Sequence, residues 1–178
     1  MSTLTRQTGE TRVRITLREG VEPSAATGDA FLDHMLTVLT RYAGLPLAIE
    51  AKGDLRHHLV EDVAITLGAL LGRDTPETCA RYGDALVPMD DALVQVALDA
   101  GGRAHYEGDL PSRLYEHFFR SLAINAGWTL HVLVLRGRDK HHVVEAAVKA
   151  LGMAIRQARR DDGAIFSTKG AVRLEWEE

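Results

Sequence analysis

The chain repeats itself. The pattern His-His-x-Val-Glu occurs at His57, His58, Val60 and Glu61 and again at His141, His142, Val144 and Glu145, each time heading an apolar stretch, HHLVEDVAITLGALL and HHVVEAAVKALGMAI. Upstream, Asp33-His34 is echoed by Glu116-His117, and Ala43-Gly44 by Ala126-Gly127. The first pair of echoes stands 84 residues apart and the other two 83. A fold for this chain must therefore accommodate the same unit twice, which points to a pseudo-twofold arrangement.

Each unit reads as strand, helix, strand, helix. TRVRITLRE alternates apolar and charged residues as a half-buried strand does, and GVEPSAATGDA after it is rich in turn residues. Leu32, Met35, Leu36 and Leu39 follow at helical spacing, stopping at Gly44. LPLAIEAKG is a strand and HHLVEDVAITLGALLG a second helix. ALVPMDDALVQVALDAGG supplies one or two strands, and Pro88 favours a sheet edge there. LYEHFFRSLAINAG, WTLHVLVLRG and DKHHVVEAAVKALGMAIRQARR then give helix, strand and helix again. The expected fold is an α/β (α+β) two-layer sandwich with helices on one face of the sheets. No Gly/Ser-rich linker divides the copies, so residues 1–178 form a single domain of two halves, about 10–83 and 84–170. Apolar residues on the sheet face away from the helices would call for partner subunits.

Composition narrows the functional classes. With 178 residues, 46% of them apolar, the chain can bury a full core. A net charge of −4 with interspersed signs offers no basic field for nucleic acid and no polybasic patch for a membrane. No apolar run approaches the roughly 20 residues of a spanning helix, and the opening MSTLTRQTGETRVRI lacks a signal-peptide core, so the chain reads as cytoplasmic. Cys79 is the sole cysteine, which excludes an internal disulfide.

Six of the eight histidines fall in the echoed positions: His34, His57, His58, His117, His141 and His142. His131 belongs to the alternating run TLHVLVL and His105 to a short connection, and neither joins the pattern. On a helix the first histidine and the glutamate of each motif differ by about 40° in direction, near enough to share a cation, whereas adjacent histidines differ by about 100° and serve different ones. Six imidazoles and two carboxylates divide into three His and one Glu on each of two metals. Such N/O donors suit manganese, iron or zinc, and four protein ligands on an octahedral ion leave two positions open for chemistry. A single match of this kind is common on a solvated helix face; two copies on one period are not.

The residues resemble the imidazoleglycerol-phosphate dehydratases of histidine biosynthesis. The stretches that carry the resemblance are FLDHML (31–36), HHLVEDV (57–63), RYG (81–83), VPMDDAL (87–93), GGR (101–103), EHFFRSL (116–122), HHVVEAAVKAL (141–151), RQA (156–158) and STKG (167–170). The resemblance implies a duplicated fold of the ribosomal protein S5 domain 2-like type. It also implies a shell of about twenty-four copies with active sites between subunits, and two Mn2+ per active site. It implies His34, His57, His58, Glu61, His117, His141, His142 and Glu145 as metal ligands, the same set that the duplication selects. Arg81, Arg103, Ser167 and Lys169, with Lys149 nearby, are implied for the substrate phosphate, and Glu10 for substrate contact and proton transfer. His34, His58, Glu61 and Glu145 would thereby stand at the reacting centre with Glu10.

The implied chemistry is loss of water from a glycerol chain attached to imidazole, which needs Lewis-acid help at the azole ring and a carboxylate acid or base. The phosphate needs the bidentate fork of Arg and the point charge of Lys. The chain departs from the family pattern in a metal loop, GDLRHHL, about three residues short and without the usual acidic pair, in Leu59 for Thr and Tyr42 for a second His, and in a connection between Arg103 and Glu116 about ten residues short. The alternative function is a non-catalytic metal-binding shell protein, which would have no use for a phosphate cluster. A dinuclear phosphatase would favour bridging carboxylates.

Overall fold

The computed structural model describes residues 2–20, 22–101 and 103–165. The first half comprises strands β1 (Ser2–Gln7), β2 (Thr11–Leu17) and β3 (Ser24–Ala26), helix α1 (Ala30–Ala43), strand β4 (Leu47–Gly53) and helix α2 (Arg56–Asp74). The second half repeats that order as β5 (Tyr82–Met89), β6 (Ala92–Asp99), β7 (His105–Gly108), α3 (Arg113–Ala126), β8 (Thr129–Arg136) and α4 (Lys140–Ala158). The sheets are topological copies, β1-β2-β4-β3 and β5-β6-β8-β7. In each, a hairpin pairs antiparallel with the inner strand β4 or β8, and the short edge strand β3 or β7, which precedes that strand by a helical crossover, runs parallel to it.

The local signals for the helices recur at the repeat spacing. Asp29 and Ser112 cap α1 and α3, accepting from Leu32 N and Tyr115 N. Gly44 and Gly127 end the same helices in left-handed conformation, with φ of 65° and 71°. Asp139 caps α4, but α2 has Leu55 at that place and no side-chain cap.

α2 lies across β1, β2 and β4, and α4 across β5, β6 and β8; α2 also packs on α3, and α4 on α1. The helices thus lie between the two sheets, and more than half of the residues of α2 and of α4 are buried because both flanks are covered. Their closest approaches are at glycines. A Cβ on Gly68 of α2 would stand 2.4 Å from the Leu122 carbonyl oxygen of α3, and one on Gly152 of α4 would stand 2.9 Å from that of Leu39 in α1. These glycines are 84 residues apart, so the tight helix packing belongs to the duplicated unit. One continuous core, from Val13 and Ile15 through Leu67 and Phe119 to Leu151, joins both halves.

Three details differ from the sequence reading. β1 is an added strand, polar apart from Leu4 because one face is solvated and the strand is an edge. The turn-rich segment contains β3, and His105 opens β7 instead of lying in a connection. Pro88 sits on β5, an edge strand, as its missing N–H requires. The outer sheet faces are unlike each other. The first carries exposed Thr3, Thr5, Arg12, Arg14, Glu50 and Lys52; the second exposes Tyr82, Leu86, Leu133 and Leu135.

Candidate functional site

α1 and α4 run parallel: His34 meets Glu145 at one end, and Leu39 and Ala43 meet Gly152 farther along. α2 and α3 do likewise, through Glu61 with His117 and Gly68 with Leu122. Parallel pairing brings the histidine-bearing first turns together, so two clusters form, each with donors from both halves of the chain.

The first cluster is His57, Glu61 and His117, whose ligand atoms lie within 4.8 Å of one another. Glu61 Oε2 is 3.5 Å from His57 Nε2, and Oε1 is 3.1 Å from His117 Nε2. The two rings stack at 5.3 Å. His117 Nε2 is buried and has no aligned hydrogen bond, although the carboxylate is close. Donors on one octahedral ion, bonded at about 2.1 Å, stand about 3 Å apart when adjacent and about 4 Å apart when opposite. An orphaned nitrogen facing a carboxylate at this spacing fits a cation between them.

The second cluster is its pseudo-symmetric counterpart but is more open, since its three ligand atoms do not all lie within 4.8 Å of one another. Glu145 Oε2 is 3.1 Å from His141 Nε2 and 3.4 Å from His34 Nε2. Lys149 Nζ bonds Glu145 Oε1 at 2.9 Å and also approaches Met89 Sδ at 3.5 Å. Burial pushes the Glu145 carboxyl up, but the Lys149 ammonium and then the His34 imidazole outweigh it and hold it below the usual value. The i, i+4 pairing expected of each motif is present in both copies.

His58 and His142 turn away from their neighbours, with interplanar angles of 71° to His57 and 89° to His141. His58 Nδ1 bonds Asp54 Oδ1 at 2.9 Å, and Glu10 Oε2 stands 3.5 Å away. His142 Nδ1 bonds Asp91 Oδ1 at 2.7 Å. These bonds raise both imidazoles above the usual value. That bond, with the Arg138 and Asp139 amides, holds Asp91 down at about 2. Sequence reasoning missed Asp54 and Asp91. Asp54 had a signal, four residues before His58; Asp91, 51 residues from its partner, had none locally.

The acids of the Asp33-His34 and Glu116-His117 echoes act as clamps. Asp33 accepts from Thr27 N and Oγ1, both at 2.7 Å, and Glu116 accepts from Tyr106 Oη at 2.8 Å and Leu110 N at 3.0 Å. Each ties the segment before its helix to the turn that carries the histidine.

Of the residues considered for phosphate, Lys149 stands at the second cluster, whereas Arg81 and Arg103 lie away from both. Arg81 N donates to Ala158 O at the last residue of α4, about 25 Å from His141 at 1.5 Å per residue. Its guanidinium forks on to Asp99 at 2.8 and 3.0 Å. Arg103 is exposed before β7, and its carbonyl accepts from Thr129 Oγ1 where β8 begins. Ser167 and Lys169 lie outside the described residues.

Comparison with known proteins accords with this geometry. The sequence matches the family model described as imidazoleglycerol-phosphate dehydratase over residues 27–155. The imidazoleglycerol-phosphate dehydratase of Desulforamulus reducens is 45% identical, covering 94% of this chain and 95% of its own. That of Pyrobaculum aerophilum is 43% identical, covering 94% and 97%. Among solved structures, the crystal structure of IGPD from Pyrococcus furiosus in complex with (S)-C348 matches with a TM-score of 0.89 at 40% identity, over 95% of this chain and all of that one. The Staphylococcus aureus enzyme matches with a TM-score of 0.78 at 31% identity, over 90% and 99%. Two pseudo-symmetric His/Glu clusters on a duplicated fold, matched along nearly the whole chain, place this protein in the imidazoleglycerol-phosphate dehydratase family.

Proposed function

We propose that the chain is a hydro-lyase converting imidazoleglycerol phosphate to imidazoleacetol phosphate and water in histidine biosynthesis. The observation that carries the reading is the His57/Glu61/His117 cluster, whose three donors converge, with its counterpart in the other half, where His34 and His141 both face Glu145. His58 and His142 supply a fourth donor apiece, which gives the three-His, one-Glu sets expected of two Mn2+ per active site. When bound, such cations would supply Lewis acidity for the dehydration.

The remaining work falls to side chains of this protein. Glu10, exposed on the β1–β2 turn, moves the proton as general acid or base. The first product is an enol, which ketonises. Glu61 and Glu145 each keep two imidazoles oriented. Lys149, 2.9 Å from Glu145, holds that carboxylate and adds positive charge beside it. Arg81 and Arg103, with Ser167 and Lys169, bind the phosphate.

Arg81 and Arg103 lie at the far end of the helices from the histidines, which supports a site completed by another copy. Sites formed between subunits of a homo-oligomer of about twenty-four copies answer that separation, each chain acting as a single catalytic domain of halves 10–83 and 84–170. The exposed leucines of the second sheet offer a subunit contact. Leu133→Asp with Leu86→Asp is expected to reduce the native particle to smaller species on light scattering; an unchanged mass would remove that face from the assembly. None of the helices described is long and apolar enough to cross a membrane, and we place the enzyme in the cytoplasm.

The test is turnover of imidazoleglycerol phosphate by the Mn2+-loaded protein. Appearance of imidazoleacetol phosphate supports the dehydratase. Metal binding without turnover would instead favour a storage shell, and released inorganic phosphate a phosphatase.

A further inference from the structure

His58 and His142 are held in the same way by carboxylates of different origin. Asp54 reaches His58 from four residues upstream, between β4 and α2, whereas Asp91 reaches His142 from the β5–β6 turn, 51 residues away. The β1–β2 turn places Glu10 where the second half has Asp91, yet Glu10 stands farther off, at 3.5 Å. Asp90, beside Asp91, lies 3.4 Å from His142 Nε2. The duplicated fold therefore arrives at one contact, carboxylate to Nδ1, by two sequence routes.

The contact has a chemical consequence. An ionised carboxylate only accepts hydrogen bonds, so Nδ1 must carry the hydrogen and the lone pair is left on Nε2. Each carboxylate is anchored in turn: Asp54 accepts from Leu55 N at 2.6 Å, and Asp91 from Arg138 N at 2.6 Å and Asp139 N at 3.2 Å. Ring orientation and tautomer are thus fixed together.

We infer that Asp54 and Asp91 are positioning residues, which set His58 and His142 in the Nδ1–H form so that each presents Nε2 to a divalent cation. Asp54 thereby does for the first half what Asp91 does for the second, and Glu10, the hairpin counterpart of Asp91, stays disengaged for proton transfer. This rests on the reading of His58 and His142 as metal ligands.

The test is calorimetric titration of metal-stripped full-length protein with Mn2+, together with its melting temperature before metal is added. Asp54→Ala and Asp91→Ala are each expected to weaken uptake of a cation about 10- to 100-fold. The near-isosteric Asp54→Asn and Asp91→Asn, which keep an acceptor but lose the charge, should fall between. Asp91→Ala also frees the Arg138–Asp139 loop, so Asp54→Ala is the cleaner probe. A purely structural role would lower the metal-free melting temperature and leave affinity unchanged. Wild-type Mn2+ affinity in the Ala and Asn variants at both positions would overturn the inference while leaving the dehydratase reading intact. Loss of affinity in the variants of a wild-type chain that binds Mn2+ without turnover would support it and overturn that reading instead.

Discussion

Glu145→Ala is expected to lose one of the two cations and at least about three orders of magnitude in turnover. A metal acting as Lewis acid contributes several kcal/mol to the transition state, and each 1.36 kcal/mol is about tenfold in rate. The substitution removes more than a ligand. Lys149 Nζ, 2.9 Å from Glu145 Oε1, would lose its partner and leave an uncompensated ammonium beside His34 and His141, repelling the ion they are arranged to hold. Glu145→Gln keeps the shape and an acceptor for Lys149 but not the charge, so it separates coordination from packing. Glu61→Ala should behave similarly at the other cluster, where His117 Nε2 has no aligned partner. Metal content and turnover of the purified variants read the effect; a Glu145→Ala protein that keeps both cations and wild-type turnover would contradict it.

Gly68→Ala and Gly152→Ala are expected to be among the most damaging single-carbon changes in the helix layer. At Gly68 the obstacle is the Leu122 carbonyl oxygen, and at Gly152 it is the Tyr42 Cβ with the Leu39 carbonyl oxygen behind it, none of which can move like a side-chain end. Overpacking costs about 1–3 kcal/mol, and a backbone obstacle puts these changes at the upper end. About 3 kcal/mol corresponds to roughly 6–12 °C in melting temperature for a chain of this size. The loss should reach metal binding as well, since both glycines set the distance between helices whose first turns carry the clusters. Gly9→Ala, with open space around it and no positive φ, is the control and should stay within about 0.5 kcal/mol. Melting curves at matched protomer concentration check all three.

Much of this was legible in the residues. Leu32, Met35, Leu36 and Leu39 define α1 by spacing, and Gly44 and Gly127 end α1 and α3 because a left-handed residue is needed there. His57 with Glu61 and His141 with Glu145 had to share a face if α2 and α4 were helices. What the pattern concealed was non-local. β1 has little apolar signal, and β3 and β7 span three and four residues, too short for alternation to register. That α1 pairs with α4 and α2 with α3 depends on packing across the duplication, so the gathering of six of the eight donors into two clusters could not be read from spacing. Asp91 was hidden for the same reason: a turn after β5 carries no mark of the imidazole it meets after β8.

The most direct test of the central claim is the metal stoichiometry of the native particle, measured alongside its dehydration of imidazoleglycerol phosphate before and after chelation. The account predicts about two Mn2+ per chain, turnover abolished on stripping and restored by Mn2+. Undiminished dehydration by metal-free protein, or a fully active particle with fewer than one cation per chain, would contradict it.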